Sequence, residues 1–294
     1  MGQSKCLFQV WDVTNAAADT IFDLQLLYDG EPQVLEVVSR DAAPVRAKSG
    51  NVTVAATSNE THILLACAAR AQFIVRGPDA GVKNATSVTR NIDTGPLGDN
   101  DPLREIAMII INPSAAVPDL IFSMNGSASS SSVVVPVPSD PLQSDRNRTL
   151  YFSEVVQDPD NPNSPTTFYL TQEGGDPVAF YATESARLTI QQGHVEHWAI
   201  QNRAQEVHVF HTHQLHFTIL DANSIIDPYH LGQSLDTVVI PYWNKTGPYP
   251  SYKIQLDFRS VDVGLWIAHC HIAGHEDQGM TMPIRVVPAA TNSS

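Results

Sequence analysis

The alternation of short apolar runs with turn-forming residues is the feature that most restricts the fold of this chain. The segment "YKIQLDF" places Ile254, Leu256 and Phe258 at every second position, and "RLTIQQG" and "HWAIQN" behave similarly. A period of two is typical of half-buried strands. Runs such as "HILLACA", "QFIV" and "IAMIIIN" are separated by Gly, Pro, Asn and Asp, and no segment sustains a long helical period. The sequence therefore predicts an all-β protein built from sandwiches or barrels.

A change of composition in the middle of the chain indicates two domains. The chain has 294 residues, 43% of them hydrophobic, which is enough for two moderate cores. Between them, "GSASSSSVVVPVPSDP" is rich in Ser and Pro, and "QDPDNPNSP" consists mostly of turn formers. We predict a first β domain over 1–135, an extended linker over 136–164 and a second β domain over 165–294.

The charge balance restricts the partners. The formal net charge is -14, and no basic tract is present that could offset the repulsion of phosphates. This argues against nucleic acid or an anionic membrane surface as a partner. No run approaches the roughly 20 apolar residues of a membrane span, so the sequence predicts a soluble protein.

Seven N-x-S/T sequons favour a secreted glycoprotein. The N-terminus "MGQSKCLFQVWDVTNAAADT" has no charged start followed by an apolar signal core. We therefore expect the natural N-terminus to lie upstream of Met1. The sequon asparagines are Asn51, Asn59, Asn84, Asn125, Asn147, Asn244 and Asn292.

Two of the three cysteines, Cys6 and Cys67, lie outside the histidine-rich region. In an oxidising compartment they could pair, which would contribute roughly 3 to 5 kcal/mol by the chain-entropy argument. Two buried free thiols in strands are an equally good interpretation.

Histidines are concentrated in the second half. Ten of the eleven follow residue 190, and seven of these fall into "HVFHTHQLH" and "HCHIAGH". Imidazole, thiolate and thioether together are the ligand set of copper, and two His, one Cys and a distant axial Met form the blue-copper arrangement. The residues assigned to one such copper are His208, Cys270, His275 and Met280.

Strand geometry explains how one segment could serve two metals. Successive side chains of a strand point to opposite faces, so in "HCH" the cysteine faces one way and both histidines face the other. The same rule applied to "HVFHTH" places His211 and His213 on one face and His208 on the opposite face. His208 would then join Cys270, with a short bonded path for electrons to a second site. The residues expected to line that second site are His211, His213, His269 and His271.

Simpler interpretations compete with each motif taken alone. A single HxH is commonly a pair of surface histidines, and a Cys flanked by His could form a zinc or structural site. The two motifs together, with Cys270, His275 and Met280 at fixed spacing, favour copper. The histidines that we expect not to bind metal are His62, His194, His197, His216 and His230.

The motifs "HVFHTHQLHF" and "LWIAHCHIAGHEDQGM" resemble the third and fourth copper motifs of the multicopper oxidases, the laccase-like group. The runs "FYLTQEGGDPVAFY", "IQQGHVEHWAIQN" and "LDFRSVDVGLWIAHCH" are similar to a C-terminal cupredoxin domain of that family. The run "FDLQLLYDGEPQVLEVVSRDAAPV" with "HILLACAARAQFIV" is similar to the later part of its middle domain. The resemblance implies cupredoxin-like Greek-key β-sandwich domains, one partial and one complete.

The resemblance also implies roles for individual residues. It places type 1 copper at the residues already assigned to the first site. It implies type 2 copper at His211 and type 3 coppers at His213, His269 and His271. It further implies that Glu276 relays protons to the oxygen site, although a solvated or structural carboxylate is an equal alternative.

The chain departs from the family in what it lacks. Family members have two further HxH pairs in an N-terminal cupredoxin domain, whereas here "HTH" and "HCH" are the only HxH motifs. We therefore expect a truncated form that lacks the first domain and holds half of the trinuclear ligands, so that the activity of this chain alone is doubtful. Smaller departures are Val209, where Pro is common, and Gln214, where Gly is common.

The function expected from the resemblance is that of a laccase-like oxidase. It would take single electrons from phenolic, diphenol-type or aromatic-amine donors at type 1 copper and reduce dioxygen to water at a trinuclear site. The alternatives are a blue-copper electron-transfer protein and an inactive fragment. Axial Met280, in place of a non-coordinating residue, predicts a type 1 potential in the lower part of the blue-copper range.

Overall fold

The computed structural model describes residues 8–49, 52–79, 81–111, 137–138, 141–158, 160–161, 164–182 and 185–289, with the backbone alone at 52, 137 and 138. Strands dominate these residues, and the longest helix among them has five residues. The prediction of an all-β protein is therefore confirmed. In the described part of the chain, no helix is long and apolar enough to cross a bilayer.

The first part of the chain forms two five-stranded sheets and a smaller three-stranded one. One sheet has the order β1-β10-β4-β5 with β8 beside β4, and the second has the order β12-β11-β2-β3 with β9 beside β2. The third sheet has the order β13-β7-β6. The strands are β1 (Phe8–Thr14), β2 (Phe22–Tyr28), β3 (Glu31–Pro32), β4 (Leu35–Arg40), β5 (Ala43–Pro44), β6 (Arg46–Ser49), β7 (Val52–Ala55), β8 (Ser58–Glu60), β9 (Ile63–Leu65), β10 (Arg70–Arg76), β11 (Ala85–Thr89), β12 (Arg104–Met108) and β13 (Val137–Pro138).

The second part forms a six-stranded sheet, β15-β14-β17-β22-β19-β20, and a five-stranded sheet, β16-β24-β23-β18-β21. Strand β14 runs parallel to β17, and β16 runs parallel to β24. One α-helix, α1 (Ala273–Asp277), and two 3-10 turns, Pro228–His230 and Phe258–Ser260, interrupt the strands. The strands are β14 (Arg146–Val156), β15 (Thr166–Gln172), β16 (Leu188–Gln191), β17 (Val195–Asn202), β18 (His208–Thr212), β19 (Phe217–Ala222), β20 (Ser234–Leu235), β21 (Thr237–Ile240), β22 (Ser251–Asp257), β23 (Gly264–Cys270) and β24 (Thr281–Val287).

The period-two segments lie where the sequence predicts strands. "YKIQLDF" lies in β22 as far as Asp257, and Tyr252, Ile254 and Leu256 are fully buried, whereas Phe258 is buried but begins a 3-10 turn. "HWAIQN" lies in β17, where Trp198 is also fully buried. Each such side chain contributes roughly 1.5 to 3 kcal/mol by leaving water. The run "IAMIIIN" differs, because it supplies the edge strand β12, whose residues are all exposed.

The span predicted as a linker, 136–164, contains two of the strands. Strand β13 pairs with β7, while β14 pairs with both β15 and β17 and so belongs to the six-stranded sheet. Residues 136, 139–140, 159 and 162–163 of this span lie outside the described part. The domain boundaries stay a prediction.

Candidate metal centre

The two histidine motifs lie side by side because β18 and β23 are neighbours in the five-stranded sheet. The antiparallel register pairs Phe210 with Cys270 and His211 with His269. Strand alternation then sends Cys270 to one face of this pair and His269 to the other. The sequence therefore produces two clusters, one on each side of the same strand.

The first cluster, here called the cysteine group, comprises His208, Cys270, His275 and Met280. Cys270 Sγ lies 3.8 Å from His208 Nδ1 and 3.6 Å from His275 Nδ1. The two Nδ1 atoms are 3.1 Å apart. His208 and Cys270 are fully buried, and 12% of the His275 side chain is exposed. Three potential metal ligands thus converge in a space almost closed to water.

Met280 is the fourth member, and a tight turn returns it to the group. After "HCH", helix α1 reverses the chain, and Met280 N donates to His275 O at 3.0 Å. Met280 O accepts from Cys270 N at 3.1 Å, and the residue is fully buried. Gly279 allows this turn, because its φ is +107° and a Cβ there would lie 2.6 Å from Ala179 Cβ.

The surroundings of the cysteine group keep its imidazoles neutral. Burial lowers the pKa of His275 to about 4, and burial together with His275 holds the pKa of His208 well below its usual range. Phe168 stacks on the His275 ring with 4.2 Å between ring centroids. Neutral imidazoles offer lone pairs to a metal. Two imidazole nitrogens and one sulphur, with a buried thioether nearby, fit copper better than zinc or magnesium.

The thiol itself is held by backbone amides. Burial raises the pKa of Cys270 above its usual range, while the amides of Ile272 and Val209 act in the opposite direction by hydrogen bonding to the sulphur. Val209 N lies 3.3 Å from Cys270 Sγ. A cation replacing the proton would remove the cost of burying the thiolate, because the metal-bound form carries compensating charge.

The second cluster, here called the four-histidine group, lies across the strand. Neighbouring rings in it have centroids 5.1 to 5.3 Å apart. The Nε2 atoms of His213 and His269 approach to 3.2 Å. Burial lowers the pKa of His269 to about 3 and that of His211 to about 4. The members of the group are His211, His213, His269 and His271.

The four-histidine group is open on one side. His269 is buried, but His213 is exposed and His211 is only partly buried. His211 Nδ1 donates to Asp236 O at 2.7 Å, and His269 Nδ1 donates to Cys270 O at 2.9 Å. These bonds leave the Nε2 atoms of both rings free to bind a metal, because an imidazole whose Nδ1 is a donor presents its lone pair at Nε2.

The backbone around Asp236, whose carbonyl bonds His211, is held by residues of the first part of the chain. Asp41 Oδ2 accepts from the backbone amides of Asp236 at 3.2 Å and Thr237 at 3.3 Å. Arg70 donates to both carboxylate oxygens of Asp236, at 2.9 and 2.7 Å. We call Asp41, Arg70 and Asp236 the clamp. It fixes the segment whose carbonyl orients the His211 ring.

Asp41 of the clamp lies in a two-residue hairpin turn. Asp41 and Ala42 join β4 to β5, and both have positive φ, +48° and +64°. Such φ values at both central positions define a type I′ turn, which normally favours Asn and Gly. The carbonyl of Asp41 also accepts from His216 Nε2 at 2.6 Å. Sequence patterns do not indicate the clamp, because Arg70 and Asp236 are 166 positions apart.

Glu276, the predicted proton relay, contacts the four-histidine group. Its Oε2 lies 3.1 Å from His269 Nδ1, and 36% of its side chain is exposed. Burial raises its pKa, against the opposing effect of His271. The carboxyl group therefore connects His269 with solvent.

Two further acidic residues, Glu154 and Glu206, lie beside the cysteine group, and the sequence patterns did not indicate them. Glu206 Oε1 lies 3.4 Å from His275 Nε2. Glu154, Glu206 and His208 each offer an atom within 4.8 Å of the others, and His208 Nε2 is buried without a hydrogen-bond partner. Burial, reinforced by Glu154, raises the pKa of Glu206. The only sequence signal was the position of Glu206, two residues before His208.

These carboxylates line a cleft beside the cysteine group. Its volume is about 630 Å³, and Phe168, Arg203 and Trp243 contribute to its walls. Phe168, which lines the cleft, also stacks on His275, the most exposed ring of the group, so the cleft and this ring share Phe168 as a neighbour. Small aromatic molecules fit a cleft of this size.

The histidines expected not to bind metal lie outside both clusters in the described residues. His62 Nδ1 is 2.7 Å from Asp23 Oδ1, and His230 Nε2 is 3.4 Å from Asp227 Oδ2. His197 Nε2 lies 3.4 Å from Gln255 Oε1. Gln214, at a position where the family commonly has Gly, has φ +72°, a conformation that glycine adopts without strain.

Cys67 and four sequon asparagines can also be placed. Cys67 is buried, its thiol lies 3.5 Å from the carbonyl of Thr20, and Cys6 lies outside the described residues. Asn51, Asn125 and Asn292 also lie outside them. The sequon asparagines with exposed side chains are Asn59, Asn84, Asn147 and Asn244.

Comparison with known proteins agrees with the two clusters. The family model described as multicopper oxidase matches residues 155–290. A laccase of Bacillus stratosphericus is 28% identical over 163 residues, which are 51% of this chain and 29% of that protein. The multicopper oxidase match over residues 155–290 and this relative confirm the resemblance predicted from the copper motifs. Copper, the predicted cofactor, is the metal of this family.

Solved structures extend the likeness over nearly the whole chain. A multicopper oxidase from Campylobacter jejuni, described as a metallo-oxidase, has a TM-score of 0.67 at 17% identity, covering 94% of this chain and 52% of that one. The laccase-like multicopper oxidase CueO of Ochrobactrum sp. has a TM-score of 0.61 at 17% identity, covering 95% and 56%. The predicted cupredoxin-like fold is thus confirmed. The chain spans about half the length of these structures.

Proposed function

We propose that this chain is the copper-binding portion of a laccase-like multicopper oxidase. Type 1 copper bound to the cysteine group would accept single electrons from phenolic, diphenol-type or aromatic-amine donors, and a trinuclear copper site that includes the four-histidine group would reduce dioxygen to water. The observation that carries this proposal is the arrangement of both clusters on opposite faces of β23. A stand-alone electron carrier would not need the four histidines.

The residues of the cysteine group have three tasks. His208, Cys270 and His275 present their ligand atoms within 4 Å of one another, where they would hold the copper. Their burial excludes water, which preorganises the site and lowers the energy needed to rearrange it on electron transfer. Met280, which is fully buried, would supply a thioether that tunes the potential of the copper.

Electrons would pass to the second cluster along the backbone. Cys270 is bonded through one peptide link to His269 and through another to His271, so the path consists of covalent bonds. The register between β18 and β23 places His211 opposite His269. A rigid pair of strands keeps the two clusters at a fixed separation.

The cleft beside His275 is the proposed donor site. Phe168 supplies an aromatic wall, and Glu206 lies 3.4 Å from His275 Nε2. A phenol or aromatic amine that loses an electron also loses a proton. Because the raised pKa keeps Glu206 protonated, Glu154, the other carboxyl group that lines the cleft, would accept it. The Ochrobactrum sp. structure is described as having oxidase activity towards lignin model compounds, which supports aromatic donors.

A metal ion is the second candidate donor. Glu154 and Glu206 could bind a divalent cation beside His208, and the Campylobacter jejuni structure is described as a metallo-oxidase. The two candidates respond differently to one variant, Glu154→Gln. Loss of one carboxylate should weaken saturation by a ferrous donor at least tenfold, and should change saturation by a phenol much less.

The remaining trinuclear ligands would come from an additional cupredoxin-like domain. It would dock on the open side of the four-histidine group, where His213 is exposed. The coverage of about half of the solved relatives supports this partner. The assembled enzyme would then place dioxygen between the two halves.

Glu276 would transfer protons to the oxygen site. Its carboxyl group contacts His269 and is partly open to solvent. In the assembled enzyme, Glu276→Gln should leave the reduction of type 1 copper by the donor unchanged and lower steady-state oxygen consumption. An equal loss in both steps would assign Glu276 a structural role.

Secretion and glycosylation are proposed from the sequons. Four of the seven asparagines have exposed side chains. Peptide mapping of the protein from a secreting eukaryotic host should find glycans on this set.

Copper content and spectrum test the proposed function. The purified chain, loaded with copper and dialysed, should retain about one tightly bound copper with intense blue absorption. Weaker copper binding at the four-histidine group should add no blue colour, because it has no thiolate. A chain that binds copper without a blue band would overturn the type 1 assignment.

A further inference from the structure

The sulphur of Cys270 accepts a hydrogen bond from the backbone of the neighbouring strand β18. Val209 N donates to Cys270 Sγ at 3.3 Å, and both residues are fully buried. The carbonyl of Val209 accepts from His271 N at 2.8 Å. Both the N–H and the C=O of Val209 are therefore hydrogen-bonded to the "HCH" segment, which fixes the direction of the amide.

The residue type at this position decides whether the donor exists. Multicopper oxidase motifs that resemble "HVFHTH" commonly have Pro where this chain has Val209. Proline has no backbone N–H, so a chain with Pro there cannot make this bond. The other amide at the sulphur, from Ile272, does not depend on residue 209.

We propose that the amide of Val209 raises the reduction potential of the type 1 site, an inference that rests on the type 1 copper proposed above. The step is a one-electron transfer in which the donor is oxidised and Cu(II) becomes Cu(I), with no bond made or broken at Cys270. The reduced site carries one more negative charge. An N–H dipole with its positive end at the sulphur stabilises that charge, and hydrogen bonds to the cysteine sulphur tune blue-copper potentials in this way.

The amide of Val209 also opposes the axial effect of Met280. A coordinating thioether lowers the potential, whereas the extra donor raises it. The site would then accept electrons from somewhat weaker reductants than Met280 alone predicts. The expected size is roughly a tenfold change in the electron-exchange equilibrium with a reference couple, which is about 59 mV for one electron.

The test is the midpoint potential of Val209→Pro in the copper-loaded chain. Val209→Ile is the matched control, because it keeps the amide and the branched side chain. Redox titration followed at the blue absorption band should give a potential about 59 mV lower for Val209→Pro than for Val209→Ile. The band itself should remain and should shift in energy, since the sulphur becomes a stronger electron donor to copper.

Equal potentials for the two variants would overturn the role of Val209 and leave the proposed function standing. A wild-type chain without a blue band would instead overturn the proposed function. If Val209→Pro fails to fold, α-hydroxyvaline at position 209, introduced by nonsense suppression, removes the N–H and keeps the side chain. That ester variant should show the same lowering, and an unchanged potential would contradict the proposal.

Discussion

The cysteine group and the four-histidine group share one strand but differ in completeness. In the cysteine group, three ligand atoms lie within 4 Å of one another and the members are almost entirely buried. In the four-histidine group, the rings are close but one side is open, and His213 is exposed. The difference teaches that one segment can supply a closed site and half of a shared site at once.

The two groups should therefore respond differently to change. The closed group has all four of its members in the second part of the chain. The open group depends on the first part through the clamp residues Asp41 and Arg70, and it would depend on the proposed additional domain. Changes at the sulphur should affect only the closed group, and changes at the clamp should affect mainly the open one.

The largest effect is expected from Cys270→Ser. Loss of the thiolate removes the sulphur-to-copper charge transfer, so the blue absorption should disappear completely, while copper binding at the four-histidine group persists. Visible and electron paramagnetic resonance spectra of the copper-loaded protein check this. Cys67→Ser is the matched control, because Cys67 is also buried but outside the cysteine group. Blue colour surviving in Cys270→Ser would break the comparison.

The next effect is expected from Arg70→Met. It leaves the carboxylates of Asp41 and Asp236 without their cation at the boundary of the two parts, which should cost about 3 kcal/mol of unfolding free energy. Denaturant unfolding measures this cost. Arg259→Met is the control, since its ion pair with Asp257 is exposed to solvent and should contribute little to the unfolding free energy. The blue absorption should not change, whereas copper affinity at the four-histidine group should fall.

The pH dependence of the copper-free protein sharpens the comparison further. The pKa of His275 falls on folding from its ordinary 6.5 to about 4 because of burial. The unfolded chain therefore binds more protons than the folded chain. His275 costs the folded state no stability well above pH 6.5, and its protonation lowers the unfolding free energy as the pH falls towards 4. Between pH 6.5 and 5, the unfolding free energy of His275→Gln should fall by about 2 kcal/mol less than that of the wild type.

His213→Gln is the companion measurement. Burial lowers the pKa of His213 as well, but its ring is exposed, so its variant should reduce the acid loss less. Carboxyl groups with raised pKa, such as Glu206, act in the opposite direction. Differences between variant and wild type at each pH isolate the histidine contribution. Equal effects of the two variants would contradict the distinction between a closed and an open group.

The smallest effect is expected from Met280→Leu. Replacing the axial thioether with a non-coordinating side chain of similar volume should raise the type 1 potential, roughly tenfold in the exchange equilibrium or about 59 mV. Redox titration of the blue band provides the measurement. The fold should be nearly unaffected because the buried volume is conserved. A potential that stays the same would remove Met280 from the assigned group.

The sequence predicted those features that depend on strand period. The separation of Cys270 from His269 follows from alternation along one strand, and β18 and β23 are neighbours, so the expected grouping appears in the structure. The cleft and the clamp could not be predicted. Glu154 and Glu206 meet through loops and neighbouring strands, and Asp41 reaches Asp236 across 195 positions. Such contacts depend on how sheets pack and on turn geometry, which residue periodicity does not encode.

Anomalous diffraction at the copper absorption edge, from crystals of the copper-loaded chain, tests the shared-strand account most directly. We expect the strongest peak between Cys270 Sγ and the Nδ1 atoms of His208 and His275, and any weaker peak on the opposite face of β23 near the Nε2 atoms of His213 and His269. A strongest peak away from Cys270, or both peaks on one face of the strand, would contradict it.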